Sequence, residues 1–185
     1  MLTGWENVWG LWKEHLLCEL LWFVEEPTRR PATEVYLAPT WSWVGIEGRV
    51  MMVIGSAEKS VWMAEVVNAG SIEGRGHLRI KGMMKRVLYT DEGRLTPHIE
   101  AITSRVEVDW NADIKPAAGS DFGKELQCLL IARLPEYIGT QGLDVGLVLS
   151  AQGDEWVRLG VFRQVREGDS LFPKSTVDMR EVVIL

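Results

Sequence analysis

The residues whose types could do chemistry are few and scattered. The histidines are His15, His77 and His98, and none has a cysteine or second histidine at metal-ligand spacing. Zinc takes three or four such ligands, and recognisable sites cluster in sequence, so no zinc site is expected. His77 opens an alternating stretch and reads as a solvent-facing or turn residue, and His15 falls at the edge of an apolar stripe. Asp109, Asp113 and Asp121 surround one loop and in principle could gather a cation. Their spacing does not match a calcium loop, which sets its ligands around an obligatory glycine, and a solvated turn is the better reading.

Nucleophiles fare no better. No Gly-x-Ser-x-Gly elbow occurs. Cys128 sits in Leu-Gln-Cys-Leu-Leu, an apolar setting that keeps a thiol protonated and inert. Residues Gly70 to Gly76 carry three glycines but lack the Gly-Lys-Ser/Thr ending and following helix of a phosphate cradle. They read as a turn between strands, with glycine supplying positive φ. No catalytic residue, metal ligand or cofactor site is expected.

The elements that would position any site divide into two regions. From Trp5 to Glu25, Trp5, Val8, Trp9, Trp12, Leu16, Leu20 and Phe23 recur at spacings of three and four. That spacing predicts an amphipathic helix, with Thr3 as N-cap and Glu6 completing a capping box. Leu11, Leu17, Leu21 and Trp22 widen its apolar face, so Trp12, Leu16, Leu20 and Trp22 are candidates for an interaction surface. Beyond Pro31, β-branched and aromatic runs alternate with turn residues. Strands are predicted at 50–54, 61–68, 76–89, 101–110, 126–134, 144–149, 156–164 and 179–184. Leu126–Ala132 is almost wholly apolar and reads as a central strand buried on both faces. Residues 56–60 and 111–123 read as loops. The expected fold is mainly β (α+β): an antiparallel β-barrel or sandwich of about eight strands with one N-terminal helix. A single domain is expected over 1–185, with helix 5–25 packed on a β-rich body at 35–185.

Composition agrees with a globular chain. Of 185 residues, 46% are hydrophobic and 25% charged, which excludes a disordered polymer. The net charge of −6, with no dense cationic cluster, points away from nucleic acid and from an anionic membrane surface. Two well-separated cysteines do not make a disulfide framework, no secretory leader is recognisable, and no apolar run approaches a membrane span. A cytoplasmic protein is the expectation.

The most distinctive segment is Tyr36-Leu37-Ala38-Pro39-Thr40-Trp41-Ser42-Trp43-Val44-Gly45-Ile46-Glu47-Gly48. It resembles the "(R)APSWSWASVDG" signature that follows the effector module in fungal heterokaryon-incompatibility proteins. Gly10-Leu11-Trp12 with Leu20-Leu21-Trp22, and the Arg30-Pro31 step, are similar to the "GLW…LLW" helix and linker preceding that signature. Residues 76–82, 126–132, 146–149 and 157–162 resemble later strands of the family in the same order, so the likeness covers most of the chain. Two departures stand out. No "LSYxWG"-like effector motif is present, and Val44-Gly45-Ile46-Glu47 replaces "ASVD".

The resemblance implies a non-catalytic accessory or regulatory domain in fungal allorecognition and programmed cell death, with an N-terminal effector module as protein partner. Pro39, Trp41, Ser42, Trp43 and Gly48 become candidate signature and anchor residues. In a strand, Trp41 and Trp43 would share one face and make a large apolar anchor. A different class is a small-molecule-binding barrel, possibly an enzyme, with Tyr36, Arg79 and Glu107 converging at its mouth.

Overall fold

The computed structural model describes residues 4–26, 36–53, 60–89, 95–97, 108–113, 125–135, 142–166, 170–173 and 178–185. Among these the chain is mainly β. The first strands are β1 (Asn7–Val8) and β2 (Leu11–Trp12), followed by a single-turn helix α1 (Leu16–Glu19) and by β3 (Trp22–Val24) and β4 (Val50–Met52). The body holds β5 (Val61–Trp62), β6 (Ala64–Ile72), β7 (Arg75–Tyr89), β8 (Leu95–Pro97) and β9 (Asp109–Ala112). Its remaining strands are β10 (Glu125–Leu134), β11 (Leu143–Gln152), β12 (Glu155–Val165) and β13 (Met179–Ile184).

The body strands form one large sheet in the order β5-β10-β11-β12-β13-β7-β6, with β8 beside β7 and β9 beside β12. It is not the closed eight-strand barrel that was one of the two expected architectures. The long strand β7 changes neighbours midway: Leu78–Met83 pair with β13, and Met84–Leu88 pair with β10. Pairing is antiparallel throughout except between β12 and β13, which meet through Trp156 and Ile184 in parallel. The 61–68 segment divides at Met63, whose amide donates to the Ile131 carbonyl at 2.8 Å, separating β5 from β6. The β6–β7 hairpin turns through Glu73 and Gly74, both with positive φ, as the two-residue turn of a right-twisted hairpin requires.

Both faces of the sheet are largely apolar, as strands covered on both sides favour, although Asp144, Arg158 and Gln164 are buried polar residues on β11 and β12. In β10, Leu129 and Ile131 belong to one cluster with Leu78, Ile80, Leu147 and Val161. Leu126, Cys128 and Leu130 belong to the other, with Met83, Val87, Val148 and Phe162. The predicted central strand at 126–132 is therefore buried on both faces. The first cluster is covered by an N-terminal layer through Val8, Leu11, Leu16, Leu20, Leu21 and Trp41. The second is covered by Leu95, Val108, Leu171 and Phe172, with Phe172 stacked on Phe162.

The helix expected at 5–25 does not form. Trp9 and Gly10 instead take positive φ and close a two-residue hairpin between β1 and β2. A Cβ on Gly10 would come within 2.5 Å of Val44 Cγ2, so the turn needs glycine for space as well as for φ. Glu14 and Glu19 accept from the backbone amides of Glu6 and Trp12 at 3.2 and 2.6 Å, which ties the chain into a compact hook. Trp22-Phe23-Val24 then suit a strand, and pair with β4. Thr3, the expected cap, lies outside the described residues, as do His98, Glu107, Asp121 and residues 101–107 of the predicted 101–110 strand. Of the expected loop at 111–123, Asn111 and Ala112 instead pair with Val161 and Gly160 of β12, and residues 114–123 lie outside the described residues.

Candidate functional site

The N-terminal layer has an inner and an outer side, and both are built by the segments 5–24 and 36–45. The inner side is organised by Arg158. A register shift opposite Val148 and Leu149 leaves Leu159 as an extra residue on β12, and such a bulge re-aims neighbouring side chains. Arg158 is thereby fully buried. Its Nε and Nη2 donate to Asp113 Oδ2 and Oδ1 at 2.8 and 3.1 Å, a bidentate pair. Its Nη1 and Nη2 also donate to the carbonyls of Leu20 and Trp22, each at 2.5 Å. The guanidinium lies 3.6 Å above the Trp22 ring centroid, in the attractive region of the indole face. One side chain thus bonds a buried carboxylate and two layer carbonyls.

The signature segment closes the same inner side. Trp41 is fully buried, and its carbonyl accepts from Trp22 Nε1 at 3.0 Å. The Arg158 amide donates to Thr40 Oγ1 at 3.0 Å, and the Thr40 hydroxyl donates to the Leu185 carbonyl. Ser42, also buried, donates to the Trp9 carbonyl at 2.6 Å and accepts from the Val44 amide at 3.1 Å. Those bonds end the extended path at Ser42 and start a 3-10 turn at Trp43–Gly45. Trp41 and Trp43 consequently do not share a face: Trp41 is 0% exposed and Trp43 is 41% exposed. Pro39 is buried against the site of Gly76, and Gly48 is an exposed turn residue with φ of 128°.

The outer side carries Trp5, Trp12, Tyr36, Leu37, Trp43 and Val44, with exposures between 41% and 50%. Trp5 packs edge-on to Trp12 and His15 at one end of the β1–β2 hairpin, with centroids 6.2 and 4.8 Å apart. Trp43 and Val44 lie over Gly10 at the turn end, where Trp9 meets Tyr36 edge-on at 5.9 Å. Of the four residues expected to make an interaction helix, only Trp12 is on this outer side. Leu16, Leu20 and Trp22 are buried in the core.

A second buried polar group lies at the far end of the sheet. Asp144 is opposite Arg133 in register, and its Oδ1 lies 3.5 Å from Arg133 Nε and 3.6 Å from Arg166 Nε. Its Oδ2 accepts from Ser170 Oγ at 3.2 Å. Burial pushes its pKa up, an effect that outweighs the lowering by the two guanidiniums and the Ser170 hydroxyl. Arg133 Nη2 donates to the Phe172 carbonyl at 2.6 Å, holding the segment that covers the second apolar cluster. Burial likewise raises the pKa of both thiols, Cys128 strongly.

Sequence reasoning missed Arg158 and misassigned Asp113, which is a buried ion-pair partner and not part of a solvated turn. The available signal was a lone charge inside the strand Trp156–Phe162 and an acid directly after β9. Asp109 and Asp113 do not assemble a cation site, since Asp109 is exposed and Asp113 is bound to Arg158. Among the described residues no group of three His, Cys, Asp or Glu is placed to hold a metal, and no helix is long and apolar enough to cross a membrane. Of the barrel-mouth residues, Tyr36 accepts from the Gly76 amide at 2.8 Å, while Arg79 pairs with Glu181 on an exposed face. Comparison with protein-family models, curated proteins and solved structures found no match.

Proposed function

We propose that this chain is a non-catalytic accessory or regulatory domain of a heterokaryon-incompatibility-type protein, docking on a partner protein through the outer side of its N-terminal layer. The partner in this reading is the effector module that precedes the signature in that family, carried by a longer form or another chain. The observation that carries the proposal is the group of six large apolar side chains left half-exposed on one layer. Singly exposed apolar residues are ordinary, whereas here exposed aromatics gather at both ends of one short hairpin, and tryptophan and tyrosine are the favoured anchors of interaction surfaces.

The layer is suited to the task because its inner side is fixed. Aromatics presented by a rigid support lose little entropy on docking, whereas the same residues on a loose segment would lose much of their binding energy to ordering. The test is light scattering coupled to size exclusion on the purified chain, alone and mixed with an effector module. Co-elution with the module, lost in a Trp12→Ala/Trp43→Ala variant, is the expected result. A monomer that ignores the module and keeps its behaviour in the variant would overturn the reading.

A further inference from the structure

We infer that the segment received by this outer side is basic: a lysine- or arginine-bearing polypeptide with apolar anchors. The inference rests on the docking reading above and adds the partner's chemistry to it. The described residues of the layer, 4–26 and 36–53, carry six carboxylates (Glu6, Glu14, Glu19, Glu25, Glu26 and Glu47) and two fixed cations (Lys13 and Arg49). Both cations are already spent inside the layer, Lys13 on Glu6 at 2.8 Å and Arg49 on Glu25 at 3.3 Å. Glu26 and Glu47 are exposed, and Glu14 and Glu19 accept only backbone amides. Among the described residues the layer therefore carries more carboxylates than cations, with Glu19 bonded to the Trp12 amide and Glu14 to the amide of Glu6, the neighbour of Trp5.

Its cationic counterpart within the molecule lies elsewhere. Strand β7 bears Arg75, Arg79, Lys81, Lys85 and Arg86, and two of these are balanced across strands by Glu181 and Glu125. Charge is thus segregated, with the layer acidic and aromatic. An approaching cation gains twice on such a surface, from the carboxylates and from the half-exposed indoles of Trp5, Trp12 and Trp43. An acidic partner would meet like charge, so nucleic acid and anionic membrane are disfavoured by the same field.

The test uses the full chain and three fluorescein-labelled amphipathic peptides of about four helical turns, with leucine on one face and lysine, glutamine or glutamate on the other. Anisotropy is expected to show the lysine peptide binding about tenfold more tightly than the glutamine peptide and the glutamate peptide weakest. Added salt should shrink the gap between lysine and glutamine peptides, because screening acts on exposed charge. The Glu14→Gln/Glu47→Gln variant, which leaves the aromatics untouched, should reduce the lysine peptide's advantage. Equal binding of lysine and glutamine peptides, both lost in Trp12→Ala/Trp43→Ala, would overturn the basic-partner inference and leave the docking face standing. Binding unaltered by the tryptophan substitutions, with the variant's circular dichroism unchanged, would overturn the docking face itself.

Discussion

The two sides of the N-terminal layer are made by the same short segments and the same residue types, yet they differ in every physical respect. On the inner side, Trp22 and Trp41 are fully buried, and a single guanidinium pairs with Asp113 and with two main-chain carbonyls. On the outer side, Trp5, Trp12 and Trp43 are each more than 40% exposed, and Glu19 accepts from the Trp12 amide. Trp41 and Trp43 are two positions apart and have opposite fates, because Ser42 turns the chain between them. The contrast teaches that tryptophan content describes neither side. What separates anchor from surface is the direction in which the local backbone turns the indole, toward the sheet at Trp41 and away from it at Trp43.

The comparison can be broken most severely from inside. Arg158→Met leaves Asp113 buried beside an apolar side chain, and should cost about 3–5 kcal/mol, read as a large fall in the denaturation midpoint. Adding Asp113→Leu should recover part of that loss, since removing both charges is less costly than stranding one. Trp41→Ala should cost a similar amount, about 3–5 kcal/mol, through the cavity left in the first apolar cluster. A smaller loss, about 1–2 kcal/mol, is expected for Gly10→Ala, where φ is +85° and the new methyl meets Val44.

The second buried carboxylate sharpens the point by doing less. Asp113 is engaged by a bidentate guanidinium, whereas Asp144 Oδ1 stands 3.5 and 3.6 Å from its two arginine nitrogens, beyond hydrogen-bond reach. Its pKa is raised by burial, so its stabilising contribution is present below its unfolded value and is lost as pH rises through the folded one. Thermal melts of the parent and Asp144→Asn across the acid range should show the parent's relative stability falling as pH rises. The smallest effect is expected at the outer side: Trp43→Ala should change folding stability by less than about 0.5 kcal/mol.

Much of the sheet was legible in the sequence. Alternation after His77 marked β7, a β-branched run beyond turn residues marked the strand at 179–184, and the unbroken apolar run at 126–132 marked a strand covered on both faces. The N-terminal layer was not legible, for a reason visible in its composition. Between Trp5 and Val24 apolar residues are so dense that spacings of two, three and four all occur, so a helical period and short strands fit equally. Gly10 was the discriminating residue, since only the turn uses its left-handed conformation. The inner lock escaped because Arg158 and Asp113 are 45 residues apart and Asp113 reads as one of several acids around a turn. Trp41-Ser42-Trp43 was found by its residues and misread in geometry, since strand alternation cannot foresee that a serine hydroxyl will start a turn.

The claim that one side is locked and the other free is tested most directly by hydroxyl-radical footprinting of the native chain, read tryptophan by tryptophan by mass spectrometry. Trp5, Trp12 and Trp43 are expected to be modified readily, while Trp22 and Trp41 stay protected until the chain unfolds. Modification of Trp41 at the rate of Trp43 under native conditions would contradict it.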